Sequence, residues 1–426
     1  MRRSLNIFNR RDFLKIAAAS ATLLSLPLGA KAASLTKGRV VVIGGGYAGA
    51  TAAKYLRLWS QGGIQVTVVE PRTQFISCPL SNLVLGGSKQ LDELTFGYDM
   101  LKTHHGIQWV NDEVLSIDAE KKLVQLKAGT LPYDKVIVAP GIDFNFDQLP
   151  MLASREAQAE IPHAWKAGSQ TIRLRRQLEM MRDGGVFVMS IPKAPYRCPP
   201  GPYERACQVA HYFKQNNPTA KVIVLDANPE ITSKKGLFTK VFAENYAGMI
   251  DYRPNSAVVE VDVATKTVKT EFETLQADVL NVIPPQRAGK LAQTAGMANV
   301  DKRWCEVDFL TYESKILPNV HVIGDSVSAA LPKSAHMATS QARVCASAVV
   351  AMLAQKEPDP APVFANTCYS FINDKMAMHV ANVYRYDNAK KVMVSAEGGG
   401  VSDKPSELEG SYAQAWAKNI WSDVLT

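Results

Sequence analysis

Between Arg39 and Ile43 four consecutive apolar residues run into Gly44-Gly45-Gly46, the pattern of a strand buried on both faces that ends in a tight turn. Helical spacing follows from Ala50 to Trp59, and a second β-branched run, Ile64 to Val69, closes on Glu70. Strand, glycine turn, helix and strand in that order predict a Rossmann-type unit. Val136-Ile137-Val138 and Val320-His321-Val322-Ile323 are further short strands, ending in the small turns Ala139-Pro140-Gly141 and Gly324-Asp325. A second α/β unit begins near residue 160. It reads as a helix over Thr171–Arg182, a strand over Gly185–Ser190, a helix over Glu204–Phe213 and a strand over Lys221–Asp226. Three more strands, Val258–Val263, Val268–Phe272 and Val279–Ile283, complete it. A long small-residue helix from about His336 to Leu353 precedes the linker Glu357-Pro358-Asp359-Pro360-Ala361-Pro362, and the tail beyond it carries mixed signals. The fold class is α/β, with two Rossmann-like domains and a smaller C-terminal α+β domain.

The glycines carry the first chemistry. In Gly44-x-Gly46-x-x-Gly49 they allow a tight turn, backbone approach to a pyrophosphate, and close packing of helix on strand. The helix then presents its unpaired N–H groups to the phosphates. Glu70, at the end of the second strand, is placed to accept hydrogen bonds from a ribose. The turns at Val136–Gly141 and Val322–Asp325 resemble the later motifs of the two-dinucleotide flavoprotein reductases, which implies FAD, with Asp325 near the ribityl and phosphate region. In the second unit, Ile191-Pro192-Lys193-Ala194-Pro195 stands where a nicotinamide domain has glycines. Proline removes N–H donors that would cradle a pyrophosphate, so this unit is expected to bind no nicotinamide.

Composition narrows the class without deciding it. The chain has 426 residues, 46% apolar and 21% charged, enough for more than one domain. Asn9-Arg10-Arg11-Asp12-Phe13-Leu14-Lys15, the apolar run Ile16–Leu28 and Ala30-Lys31-Ala32 form a twin-arginine export leader. The run is too short to span a bilayer. Six basic residues against one acidic lie in residues 1–32, so five of the eight net positive charges leave with the leader. The remaining +3 gives no reason to expect nucleic acid, and the cluster Arg173, Arg175, Arg176 reads as a solvated helix face. The mature protein is expected in the periplasm, without a transmembrane segment, where disulfides persist.

Six cysteines, Cys78, Cys198, Cys207, Cys305, Cys345 and Cys368, include no C-x-x-C, and the histidines form no metal-ligand spacing. The chain therefore carries no c-type haem motif of its own. Cys345 sits in an apolar helix and reads as a core thiol. Cys198 lies in Tyr196-Arg197-Cys198-Pro199-Pro200-Gly201-Pro202-Tyr203-Glu204, beside Arg197 and just ahead of a helix, two features that favour a thiolate.

This turn, with Gln74–Gly87, Lys302–Asp308 and Asn366-Thr367-Cys368-Tyr369-Ser370, resembles the flavoprotein subunits of flavocytochrome c sulfide dehydrogenases across nearly the whole mature chain. The resemblance implies a disulfide-reductase-like flavoprotein. It also implies that Cys78 bonds the flavin 8α-methyl carbon, that Cys198 and Cys368 form a redox-active disulfide over the isoalloxazine, and that Glu204 is an acid beside it. It implies domains at 33–150 with 277–355 (FAD), 151–276 (second Rossmann-like), and 356–426 (flavin-facing tail). The implied reaction is oxidation of sulfide to sulfur or polysulfide, with electrons leaving to a c-type cytochrome subunit. A sulfide:quinone reductase is the competing enzyme. It would need a membrane-dipping segment, and Tyr412–Leu425, with Trp416 and Trp421, is only mildly amphipathic. A non-catalytic flavoprotein partner of a sulfur-oxidising complex would have no need of the Cys198/Cys368 pair.

Overall fold

The apolar run Gly38–Ile43 is the middle strand of a five-stranded parallel sheet in the computed structural model. The model describes residues 36–426; the expected leader lies outside them. The strand order is Val320–Val322, Lys135–Val138, Gly38–Ile43, Ile64–Val69, Gln108–Val110. Val40, Val42, Val68, Val136 and Ile137 are buried, because helices and loops cover both faces, and an unbroken apolar run is what such a strand requires. The first helix spans Tyr47–Trp59, three residues earlier than the sequence pattern predicts, and packs on the helix Ala335–Leu353. The earlier start matters, since it brings the helix N-terminus directly onto the glycine turn.

That turn is sterically exacting. Gly44 has φ +102°, and a Cβ there would sit 2.4 Å from the Ala139 carbonyl oxygen. A Cβ on Gly49 would sit 1.8 Å from the Gly44 carbonyl oxygen. The helix thus lies so close to the strand end that the third fingerprint glycine has no room for a methyl group.

A second parallel sheet has the order Ile250–Arg253, Lys221–Asp226, Val186–Ile191, Val279–Val282. Its last strand lies past residue 276, where the second domain is expected to end, so the sheet runs on to Val282. The segments Val258–Asp262, Thr267–Thr270 and Thr274–Gln276 are not part of it. They form a separate antiparallel sheet, each with exposed positions along it, and Phe272 falls in the turn. Of the arginine cluster, Arg175 is not solvated. It donates to the Leu85 carbonyl (2.8 Å) and stacks on Tyr212 (3.9 Å).

The tail is an antiparallel meander, Val363–Phe371, Ala377–Asp387 and Val392–Val401, followed by the helix Glu407–Leu425. Its core is shared: Phe371, Ala377, Ala413 and Ala417 pack with Leu80, Leu83 and Val84 from the segment just after Cys78. Among the described residues no helix is long and apolar enough to cross a membrane.

Gly49→Ala should force the turn apart, lowering stability by about 1–3 kcal/mol and releasing bound flavin. Thermal melting and the visible absorbance of the purified protein test this. Full flavin content at the wild-type melting temperature would contradict it.

Candidate active site

The carboxyl ends of the first sheet's strands open on a cavity of about 690 Å³, within the range of roughly 300–1,000 Å³ common for ligand sites. Gly44, Gly46, Glu70, Cys78, Cys198, Glu204, Asp325 and Cys368 all line it. Gly49 does not; it lies behind, against Gly44. A separate hollow of about 420 Å³ near Ile231, Phe242 and Tyr252 is mostly apolar and far poorer in reactive groups.

At the glycine end, the helix Tyr47–Trp59 starts with no side chain capping it, and nothing lies within 4 Å of where a Gly46 Cβ would be. Free N–H groups facing open space suit a pyrophosphate. Glu70 is fixed by bonds from the Gly45 N–H (2.7 Å) and from the Arg72 N–H and Nε (3.0 and 3.1 Å). Across the cavity Asp325 follows the strand Val320–Val322, where desolvation raises its pKa against the pull of Arg197 and Lys333. Arg197 lies between these ends. Burial opposes its charge, but Cys78, Asp325 and Cys198 hold it protonated. The residues present therefore fit FAD, whose pyrophosphate the free N–H groups at Gly44–Gly49 would hold.

Cys198 sits at φ +59°, its N–H bonded to the Lys333 carbonyl (2.7 Å). The helix after it begins at Gly201, where a Cβ would lie 2.7 Å from the Cys198 sulfur and 2.9 Å from Trp165. Only glycine lets this sulfur lie against the helix start. The local expectation of a thiolate is not met. Burial pushes the thiol up, Cys368 and Glu204 push the same way, and Arg197 and Lys234 pull down too weakly to offset them. Sequence neighbours favour the charge, but three-dimensional enclosure outweighs them. Cys368 lies in the strand Val363–Phe371, 170 residues on, with its sulfur near the Asn366 side-chain amide (3.5 Å). All six cysteines are thiols in this structure, and Cys207, Cys305 and Cys345 are buried away from the cavity.

Glu204 lines the cavity and is the hub of a hydrogen-bond network. One carboxylate oxygen accepts from the Phe371 N–H (2.8 Å), the other from Asn82 Nδ2 (2.8 Å). Asn82 Oδ1 in turn accepts from Arg205 Nε (3.1 Å). Arg205 donates also to Asn281 Oδ1 and to the carbonyls of His163 and Ala164, and faces the Trp165 ring at 4.8 Å. Burial raises the Glu204 pKa, while the Phe371 and Asn82 donors favour the carboxylate; burial lowers Arg205 to about 9. Asn82, Arg205 and Lys234 had no signal in the sequence, because their roles rest on contacts with distant segments. The same holds for Trp421, whose Nε1 donates to Tyr47 Oη and Ser77 Oγ (both 3.0 Å), and for Trp416, which lines the cavity.

In the second unit, the strand Lys221–Asp226 ends on a carboxylate where a Rossmann domain would meet a ribose. Asp226 is buried and already engaged by Tyr203 Oη (2.8 Å), Tyr252 Oη (2.9 Å) and the Asn228 N–H and Nδ2 (2.9 and 2.7 Å). A nucleotide there would have to displace these bonds as well as do without the glycine turn. Anaerobic mixing with NADH should leave the flavin absorbance unchanged over minutes. Rapid bleaching would show that this unit does take a nicotinamide.

Three family models match the chain. Residues 38–161 match pyridine nucleotide-disulphide oxidoreductases. Residues 171–284 match the central part of the sulfide dehydrogenase [flavocytochrome c] flavoprotein chain, and residues 360–425 match the flavin-binding part of flavocytochrome c sulphide dehydrogenase. The flavoprotein chain of the Chlorobaculum thiosulfatiphilum flavocytochrome c sulfide dehydrogenase is 59% identical over 46 residues, 11% of this chain and 94% of that sequence. The mitochondrial sulfide:quinone oxidoreductase of Mus musculus is 23% identical over 367 residues, 81% of this chain and 78% of that one. The Aquifex aeolicus sulfide:quinone oxidoreductase structure superposes with a TM-score of 0.71 at 18% identity, covering 91% of each chain, a likeness of fold.

Proposed function

We propose that this chain, which belongs to the flavoprotein family of flavocytochrome c sulfide dehydrogenases, oxidises sulfide in the periplasm through a Cys198–Cys368 disulfide and passes the electrons to a c-type cytochrome subunit. The observation that carries this reading is the gathering of Cys78, Cys198, Cys368 and Glu204 in the lining of the cavity onto which the fingerprint glycines open.

Bound FAD supplies a two-electron acceptor. The protein's own part begins when hydrosulfide, a soft nucleophile, attacks one sulfur of the Cys198–Cys368 bond. That bond breaks, a persulfide forms on the attacked cysteine, and the other sulfur leaves as thiolate with the electron pair. When the added sulfur departs and the bond re-forms, the net change is HS⁻ to zero-valent sulfur, a proton and two electrons. Glu204, whose proton affinity burial raises, is the acid beside the pair and suits the proton. Arg197, facing both Cys78 and Cys198, supplies fixed positive charge. Cys78 would form the covalent link to the flavin 8α-methyl carbon, and Asp325 and Glu70 would hold the ribityl and ribose ends.

A cytochrome is preferred to a quinone as acceptor because the C-terminal helix spends its apolar side internally. Ala413, Ala417, Ile420 and Val424 are buried, and both of its tryptophans turn toward the cavity or the first helix. The large apolar side chains it leaves exposed are Leu408 and Tyr412, near its start, too few for a membrane-dipping face. The twin-arginine leader supports the periplasmic assignment.

Sulfide should reduce added cytochrome c catalytically and a soluble quinone poorly. Cys198→Ser should lower that turnover by about two orders of magnitude or more. Full turnover by this variant would sink the disulfide route, and faster turnover with quinone would reverse the acceptor. On acid denaturation the flavin should stay with the precipitated wild-type protein and wash free from Cys78→Ser. Yellow supernatant from the wild type would remove the covalent link.

A further inference from the structure

Lys234 is a buried ammonium in an unusual setting. It lies at φ +55° just before the helix Lys235–Glu244, and its Nζ donates to the Cys368 carbonyl at 2.9 Å. Among the described residues it forms no ion pair with a carboxylate. The preceding residues are held to the Cys198 turn: Thr232 bonds Tyr196 Oη through its hydroxyl (2.8 Å) and Tyr203 Oη through its N–H (3.1 Å). The acidic and thiol groups that act on it are Cys368 from the tail strand, Glu204 and Cys198 from the second unit, and Glu409 from the C-terminal helix. A buried cation with so little direct compensation is costly unless an anion forms beside it.

We propose that Lys234 is the cation that balances the thiolate released when the Cys198–Cys368 bond opens, and so is a positioning residue for the sulfide half-reaction. This rests on the disulfide reading of the preceding subsection. Attack by HS⁻ forms one S–S bond and breaks another, the hydrosulfide proton stays on the persulfide, and the negative charge moves from the nucleophile to a buried sulfur. Before attack both sulfurs are neutral and burial lowers the lysine; after it, ammonium and thiolate are charged together. The same enclosure that raises the Cys198 thiol therefore makes the partner cation necessary.

The test uses the holoprotein reduced with dithiothreitol and measures the pH midpoint of iodoacetamide alkylation at Cys198 and Cys368 by mass spectrometry. Lys234→Gln keeps a donor for the Cys368 carbonyl but removes the charge. It should raise the midpoint of at least one of the two thiols by about one unit, roughly tenfold slower alkylation near neutral pH. Lys234→Arg should restore it. Unchanged midpoints in Lys234→Gln with full flavin content would overturn the role of Lys234 alone. Equal numbers of alkylatable thiols before and after reduction of the wild type would instead remove the disulfide, and both proposals with it.

Discussion

A single buried carboxylate ties the three cysteine-bearing segments together. Glu204 stands on the helix that follows Cys198, accepts from the Phe371 N–H on the strand that carries Cys368, and accepts from Asn82 on the helix that follows Cys78. Each partner comes from a different part of the chain. Burying a carboxylate is tolerated only when its oxygens are bonded, so this constraint binds in both directions. The segments must meet to satisfy Glu204, and once they meet the three thiols line one cavity. Arg205, one residue on, extends the network through Asn82 to the carbonyls of His163 and Ala164. The apolar packing of Leu80, Leu83 and Val84 against Phe371 and Ala417 joins the same segments.

In the second Rossmann-like unit the features of a cofactor domain are replaced. Where glycines would admit a pyrophosphate, the chain passes through Pro192 and Pro195 into the Cys198 turn. The acid at the end of the next strand, Asp226, anchors Tyr203 and Tyr252 instead of a ribose. Tyr203 and Tyr196 then hold the loop that carries Lys234. A scaffold of nucleotide-binding shape thus carries Cys198 and Glu204 to the cavity at the strand ends of the first unit.

What could be read from the sequence was local. The fingerprint glycines, Glu70 and the strand-turn-helix order are enforced within about 30 residues, so their spacing carries their meaning. The tail read as mixed signals because its meander leaves many positions half-buried and its helix is rich in alanine and aromatic residues. The thiolate expected at Cys198 shows how local rules fail: Arg197 and a helix start are adjacent in sequence, whereas the enclosing Trp165, Cys368 and Glu204 are not all so. Asn82 and Lys234 are ordinary surface residue types that become buried only because distant elements close over them. The covalent and redox roles proposed for Cys78, Cys198 and Cys368 come from resemblance of short motifs, and the shared cavity is the physical ground for proposing them.

The central claim is that this cavity stores electrons in sulfur as well as in flavin. Anaerobic titration with dithionite, followed by absorbance, measures that capacity directly. The account predicts uptake of about four electrons per flavin, two by the flavin and two by the Cys198–Cys368 bond, falling to about two in Cys368→Ser. Uptake of about two electrons per flavin by the wild-type protein would contradict it.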